Sequence, residues 1–425
     1  MDKLLVRGGN TLQGTVHISG SKNASLPILA ATLLTGETCI IRRVPDVSDT
    51  NYMIQILTAL GAEVERSSGT VRITAGTISH DAPYDIVRKM RASICIMGPL
   101  VARLHKASVS LPGGCVIGDR PVDLHLKGLE ALGANIDMEG GNMHIVAENG
   151  LHGDECDLRG KHGPTVLGTD NMMMAAVLAK GKTVIESAAC EPEVVDLANF
   201  LNQMGAKITG AGTRRIEIEG VEKLHGVDYT VIPDRIEAGT FMCAAAMAGC
   251  PEKGVTLNRV CQEDLKPSTE KLIEAGHRVE FNEQGTSCTV TPGAAPKGVN
   301  IVTAPFPGFP TDMQAQFTSL LAVTDGISVV EDTIFPQRFM HCAEMSRMGA
   351  DIKVDNGTAV IQGGKKLSAA PVMASDLRAS AALVLSGLCA EGTTEIHRLY
   401  HIDRGYENID DKLVMLGADI ERVKE

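Results

Sequence analysis

Apolar and polar positions along this chain alternate in blocks that repeat. Val194, Leu197, Leu201 and Met204 fall three or four residues apart, which puts them on one face of a helix. The tag Met204-Gly205-Ala206-Lys207-Ile208 follows, and then Arg215-Ile216-Glu217-Ile218, whose period of two predicts a half-buried strand. A glycine at that point suits a helix C-terminus, where the backbone often turns left-handed. The tag recurs as Leu60-Gly61-Ala62-Glu63-Val64, Leu132-Gly133-Ala134-Asn135-Ile136 and, more loosely, Ala275-Gly276-His277-Arg278-Val279. Met348-Gly349-Ala350-Asp351-Ile352 and Leu416-Gly417-Ala418-Asp419-Ile420 complete the set. The glycines are 72, 72, 71, 73 and 68 residues apart, so six units fill the chain.

Earlier in each unit lies a helix of small residues, such as Ala30-Ala31-Thr32-Leu33-Leu34, and then a strand such as Thr38-Cys39-Ile40-Ile41. Two helices and several strands per unit predict an α/β fold. The last unit stops at Glu425 without a partner strand, while Lys3–Arg7 and Thr15–Ile18 read as a spare N-terminal hairpin that completes it. Six units then divide three and three, one domain over residues 22–232 and the other made of 1–21 and 233–425. The alternative is a single six-unit solenoid with one continuous core.

Composition narrows the function. The chain has 425 residues and a net charge of −12, no Trp and 3% aromatics. Nonspecific nucleic-acid binding needs phosphate neutralisation and stacking platforms, so it is disfavoured. No apolar run approaches the roughly 18 residues that span a bilayer, which predicts no membrane insertion. The N-terminus MDKLLVRGGN has no apolar signal core. Eleven scattered cysteines lack zinc or redox spacing, which fits a reducing cytoplasm, and the sequence has no P-loop, Rossmann fingerprint or metal motif. No protein partner can be inferred.

Each small-residue helix is preceded by polar or charged residues. These are Ser21-Lys22-Asn23, Met90-Arg91-Ala92-Ser93, Pro164-Thr165, Asp234-Arg235, Thr311-Asp312 and Asp376-Leu377-Arg378. Helix N-termini favour anions, and cations converging there would form a basic island on an acidic chain. Ordinary capping explains any single case equally well. Asp312 in particular reads either as an N-cap or as a base for a substrate hydroxyl. Cys115 sits in a loop with glycines and prolines, Leu111-Pro112-Gly113-Gly114-Cys115-Val116-Ile117-Gly118-Asp119-Arg120-Pro121. A thiol with an ordinary pKa of about 8.5 is protonated at neutral pH and can serve as an acid, or as a nucleophile once ionised. His125, ten residues on, reads as readily as a surface histidine.

At these residues the sequence resembles the enolpyruvyl transferases, and within them the branch that builds peptidoglycan precursors. The matching strings are Ser19–Ala24 (SGSKNA), Met90–Ser93, Leu111–His125, Pro233–Glu237 (PDRIE), Phe309–Phe317 (FPTDMQAQF), Arg338–His341, Asp376–Ser380 and His401–Glu407 (HIDRGYE), in order along the whole chain. The resemblance implies a two-domain inside-out α/β barrel of six βαβαββ repeats, three per domain, with an interdomain cleft. It implies transfer of enolpyruvate from phosphoenolpyruvate to the 3-hydroxyl of UDP-N-acetylglucosamine, without cofactor, and a role in cell-wall synthesis, cell shape and division. By resemblance, Lys22, Arg120 and Arg404 bind phosphoenolpyruvate, Arg91 and Arg378 add positive charge, and Asn23 orients the reacting groups. Cys115 is then the acid at C3 of phosphoenolpyruvate and the target of fosfomycin-type epoxides, and Asp312 accepts the sugar hydroxyl proton. Arg120, Pro121, Val122, Asp123, Leu124, Thr165, Val166 and Ile334 hold the nucleotide sugar, with Asp376 also in the binding set. The family usually reads Ser-Val-Gly-Ala-Thr where this chain has Thr165-Val166-Leu167-Gly168-Thr169. The added bulk of Leu167 bears on the uridine diphosphate contact rather than on the chemistry. A transferase with another acceptor alcohol and a catalytically silent paralogue are the alternatives.

Overall fold

The structure, a computed structural model, describes residues 2–111, 122–161 and 163–424. It falls into two compact units. The N-terminal unit runs from Gly20 to Ile232, and the C-terminal unit joins the described residues up to Ser19 with those from Pro233 onward. Each unit has its own core of buried apolar side chains, where a single solenoid would have one.

The small-residue helices are α1 (Lys22–Ala31), α2 (Met97–Leu104) and α3 (Val166–Ala176) in the N-terminal unit. In the C-terminal unit they are α4 (Arg235–Ala248), α5 (Gln314–Val323) and α6 (Leu377–Cys389). They are buried on all sides; in α6, for example, every residue from Arg378 to Leu388 is buried. A helix without a polar face belongs in a core, and small side chains let such helices approach closely. Accordingly α4, α5 and α6 pack on one another, and α1 and α2 each pack on α3.

The second helix of each of the six repeats is amphipathic. Pro192–Gln203 buries Val194, Leu197 and Leu201 and exposes Asn199, Asn202 and Gln203. All six end in the same way. Gly61, Gly133, Gly205, Gly276, Gly349 and Gly417 have φ between 91° and 106°. The N–H of the next residue reaches back to the carbonyl five positions earlier, as in Ala62 to Leu57 at 3.0 Å and Ala350 to Met345 at 3.1 Å. The repeated tag is therefore a helix stop: glycine supplies the left-handed turn, and the residue after it closes the bond.

Each amphipathic helix leads into a sheet, and among the described residues the N-terminal unit has a further two-stranded sheet, Arg159–Gly160 with Gly163–Pro164. One N-terminal sheet orders Asp228–Thr230, Thr38–Arg42, Thr70–Thr74 and Glu63–Ser67, and its first pair is parallel. In the C-terminal unit Asp2–Arg7 lies between Thr393–His397 and Asp419–Lys424, antiparallel to both, with Asp2 opposite Lys424. The first N-terminal strand thus completes the last repeat. The second does not. Gly14–His17 pairs parallel with Val255–Asn258 in the sheet of the fourth repeat, so the expected hairpin is two strands in two sheets. Their connection, Gly8 to Gln13, is long enough to let them part, and its one apolar residue, Leu12, is buried in the core.

Candidate active site

The C-terminal unit offers three equivalent aspartates at the starts of α4, α5 and α6, and they do not behave alike. Asp234 Oδ1 accepts the N–H groups of Ile236 and Glu237, both at 2.9 Å. Asp376 Oδ1 accepts those of Arg378 at 2.8 Å and Ala379 at 3.2 Å. Both are N-caps. Asp312 lies inside a short 3₁₀ turn, Thr311–Met313, and caps neither that turn nor α5. The capping alternative for Asp312 is therefore corrected. Its Oδ1 accepts from Arg338 Nη1 at 2.7 Å, and its Oδ2 from Arg378 Nη2 at 2.9 Å.

The two guanidinium groups are almost wholly buried, whereas the Asp312 side chain is 26% exposed. Burial alone would raise the Asp312 pKa. The charges and hydrogen bonds of Arg378 and Arg338 outweigh it and hold the carboxyl well below the usual range. Arg378 is further braced by the Tyr406 ring, 5.4 Å from the guanidinium carbon to its centroid. The Tyr406 hydroxyl is 2.8 Å from Thr240 Oγ1 and accepts from Gln316 Nε2 at 3.1 Å. Arg338 Nη2 also lies 4.0 Å from Asp376 Oδ1. Burial pushes the neighbouring His341 down to about 4; Asp376 opposes that shift and Arg338 adds to it.

Asp332 anchors the other side of Asp312's turn. It follows the strand Ile327–Glu331 and accepts the N–H groups of Ile334 at 3.0 Å and Phe335 at 2.8 Å. Ile334 is placed by that turn. Arg404 ends a 3₁₀ segment, Leu399–Arg404. Sequence reasoning did not single out Asp332, Arg338 or Tyr406 as site residues. Arg338 and Tyr406 stood inside matched strings, but nothing in their spacing ties them to Asp312 or Arg378.

In the N-terminal unit Ser21 caps α1 by accepting from Ala24 N–H at 3.2 Å. Lys22, the first helical residue, places Nζ 3.3 Å from Oδ2 of buried Asp49, with Asn23 next to it. Arg91 opens the 3₁₀ segment Arg91–Ile96 that leads into α2. Val122 precedes, and Asp123 and Leu124 begin, the helix Asp123–Ala131. His125 in that helix is buried, which corrects the surface reading. Its Nδ1 is 2.9 Å from Asn171 Nδ2, which also donates to the Ile94 carbonyl at 2.9 Å. Burial, with a smaller contribution from Arg91, lowers the His125 pKa to about 4, so the ring is neutral. Cys115, Arg120 and Pro121 lie outside the described residues.

Thr165 caps α3, accepting from Gly168 N–H at 3.2 Å, and Val166 is the first helical residue. Here the departure from the family pattern explains itself. A Cβ on residue 168 would lie 2.3 Å from Thr165 Cγ2. Threonine for serine adds a methyl at 165, and glycine for alanine removes one at 168. Leu167 is half-buried against the core.

The structure thus brings Asp312, Arg378 and Asp376 together through Arg338. Lys22 and Arg91 belong to the other unit. Among the described residues no group of three His, Cys, Asp or Glu side chains is placed to hold a metal ion.

The family model of EPSP synthase (3-phosphoshikimate 1-carboxyvinyltransferase) matches residues 6–413, and the chain belongs to this family of transferases. It is 68% identical to the UDP-N-acetylglucosamine 1-carboxyvinyltransferase of Akkermansia muciniphila over 425 residues, covering 100% of this chain and 99% of the relative. It is 57% identical to the protein of the same name from Methylacidiphilum infernorum over 424 residues, again covering 100% and 99%. Among solved structures it is similar to the enolpyruvyl transferase NikO from Streptomyces tendae, with a TM-score of 0.89 at 25% identity and coverage of 100% and 99%. EPSP synthase from Acinetobacter baumannii has the same fold, with a TM-score of 0.74 at 18% identity and full coverage of both chains.

Proposed function

We infer that this chain transfers enolpyruvate from phosphoenolpyruvate to the 3-hydroxyl of UDP-N-acetylglucosamine and releases phosphate. The observation that carries this reading is its full-length identity of 68% with a relative of that name. We assign two domains, residues 22–232 and residues 1–21 with 233–425, a division that the two compact units support. No helix among the described residues is long and apolar enough to cross a membrane, which fits an enzyme of the cytoplasm making a wall precursor.

The residues divide the work as follows. Phosphoenolpyruvate is a multiply charged anion, and Lys22, Arg91, Arg120, Arg378 and Arg404 supply the cations for it. Asn23 orients the reacting groups. Val122, Asp123, Leu124, Thr165, Val166, Ile334 and Asp376, with Arg120 and Pro121, hold the nucleotide sugar. The Cys115 thiol protonates C3 of phosphoenolpyruvate while the sugar oxygen bonds to C2, and Asp312 takes the hydroxyl proton. Loss of phosphate and of a proton from C3 then restores the enol ether.

The geometry adds a condition. A carboxylate pinned by two guanidinium groups is ionised but weakly basic. An anionic ligand that draws Arg378 or Arg338 away makes Asp312 a better proton acceptor. Substrate binding therefore activates the base.

Phosphate release from phosphoenolpyruvate, measured with and without UDP-N-acetylglucosamine, tests the reading. Release that depends on the nucleotide sugar is expected. Release that ignores it but responds to another alcohol points to a different acceptor, and no release at all points to a silent paralogue. Peptide mapping after inactivation by a thiol-directed epoxide tests the acid, and the adduct is expected on Cys115.

A further inference from the structure

We propose that Asp332 is a positioning residue that orients Asp312 through the hydroxyl of Thr311; the proposal rests on the transfer reaction inferred above, with Asp312 as its proton acceptor. Asp332 is 1% exposed. A carboxylate so buried must have its lone pairs met by donors. Oδ1 accepts from the Thr303 hydroxyl at 2.9 Å and from the N–H groups of Ile334 and Phe335. The two N–H bonds fold the turn after the strand, and the Thr303 bond ties that turn to the segment following Ile301–Val302. The fourth leaves the turn: Oδ2 accepts from the Thr311 hydroxyl at 2.7 Å.

A hydroxyl carries one proton. Thr311 gives it to Asp332, so its oxygen is left as an acceptor toward its other neighbour, Arg338 Nη1 at 3.4 Å. The same Nη1 donates to Asp312 Oδ1 at 2.7 Å. Donation is therefore consistent from Arg338 to both Thr311 and Asp312, and from Thr311 to Asp332. Were Asp332 unable to accept, the Thr311 proton could swing toward the guanidinium and repel it. Arg338 Nε is buried without a hydrogen-bond partner, so the Nη contacts set the plane of the group. Through its hold on Ile334, the same carboxylate also fixes a proposed contact to the acceptor sugar.

The test is a double-mutant cycle in the full chain, reading phosphate release with UDP-N-acetylglucosamine and melting temperature. Asp332→Asn and Thr311→Val are each expected to lower kcat roughly tenfold, in the range of contacting pairs, with KM for phosphoenolpyruvate within a few fold. Thr311→Ser keeps the hydroxyl and is expected to recover most of kcat. The double variant is expected to be no worse than the poorer single. Losses that multiply in the double variant, or that track only the melting temperature, would overturn the proposal. If Asp332→Asn fails to fold, Thr311→Val decides alone, and wild-type kcat in that variant sinks the relay. A wild type that releases no phosphate overturns the transfer reading and this proposal with it. A wild type that turns over while Asp332→Asn matches it overturns this proposal alone.

Discussion

Arg378 Nη2 sits 2.9 Å from Asp312 Oδ2, with Arg338 Nη1 2.7 Å from the other oxygen. One partly exposed carboxylate is thus shared by two buried cations, and the trio keeps a net positive charge. The pairing offsets the unfavourable placement of a cation, Arg378, at the positive start of α6. Asp376 caps that helix, and Tyr406 braces the guanidinium on its other side.

Removing one cation should therefore show in the pH dependence. Arg338→Gln takes away a charge that depresses the Asp312 pKa, so that pKa rises. The acid limb of kcat/KM, which reports the free enzyme, should move to higher pH. A pH–rate series on the wild type and the variant checks this. An acid limb that stays in place or moves to lower pH contradicts the ion-pair account.

Asp312→Asn should cost both turnover and stability. At a true cap Asn serves nearly as well as Asp, so Asp234→Asn is the comparison and should melt close to wild type. At Asp312 the change leaves Arg338 and Arg378 without their shared counter-charge. Breaking a fully buried pair costs roughly 3–5 kcal/mol, and the partial exposure of Asp312 makes the loss smaller. Turnover should fall by roughly a hundredfold or more if the carboxylate is the base. Normal melting combined with normal turnover would remove Asp312 from both roles.

Residues 165 and 168 should be coupled. Gly168→Ala alone places a methyl against Thr165 Cγ2, and overpacking of this kind typically costs about 1–3 kcal/mol. Thr165→Ser removes that methyl but keeps the capping oxygen, which a Cβ at 168 would meet at 2.9 Å, so the double change should recover part of the loss. Denaturant titration of the two singles and the double measures the coupling. Additive effects would show that the contact is not what pairs them.

The repeat was legible because it is local. The Gly205 tag is a helix stop whose φ and backbone bond depend on neighbours within five residues, and all six copies announce themselves. The completion of the last repeat by Lys3–Arg7 was legible as a missing partner. Gly14–His17 was misplaced because adjacent strands suggest a hairpin, and only long-range pairing with Val255–Asn258 decides otherwise. The same limit applies to the site. Asp312, Arg378 and Asp376 could be flagged from helix starts and matched strings. That Asp376 caps while Asp312 pairs depends on Arg338, which approaches from a different part of the chain. Whether His125 is a surface histidine stays open in the sequence because helix position alone does not show that Asn171 faces it.

The last prediction concerns Glu237, a buried residue of α4. Lys412 Nζ donates to its Oε1 and to Ser19 Oγ, and Ser19 N–H donates to its Oε2 at 3.2 Å. Burial raises its pKa from an ordinary 4.5 to about 7, even though Lys412 pulls it down; nearby Asp234 adds to the rise. Between those values the folded state holds a proton that the unfolded state has lost. Stability from this group is therefore greatest below about pH 4.5 and declines as pH rises to about 7, by at most about 1.4 kcal/mol per pH unit. The buried histidines act in the opposite sense. His125, His277 and His341 are each lowered to about 4, so the unfolded state takes up protons first and stability falls as pH drops below 6.5. Glu237→Gln keeps the histidines and removes only the titrating carboxyl. Lys412 then keeps Ser19 but loses the carboxyl, so the variant should be less stable, and the difference from wild type should change with pH. Denaturant unfolding at intervals from pH 4.5 to 7.5 should show the wild-type advantage shrinking as pH rises. An advantage that is flat or grows across that range would mean that Glu237 is ionised in the folded protein at every pH tested.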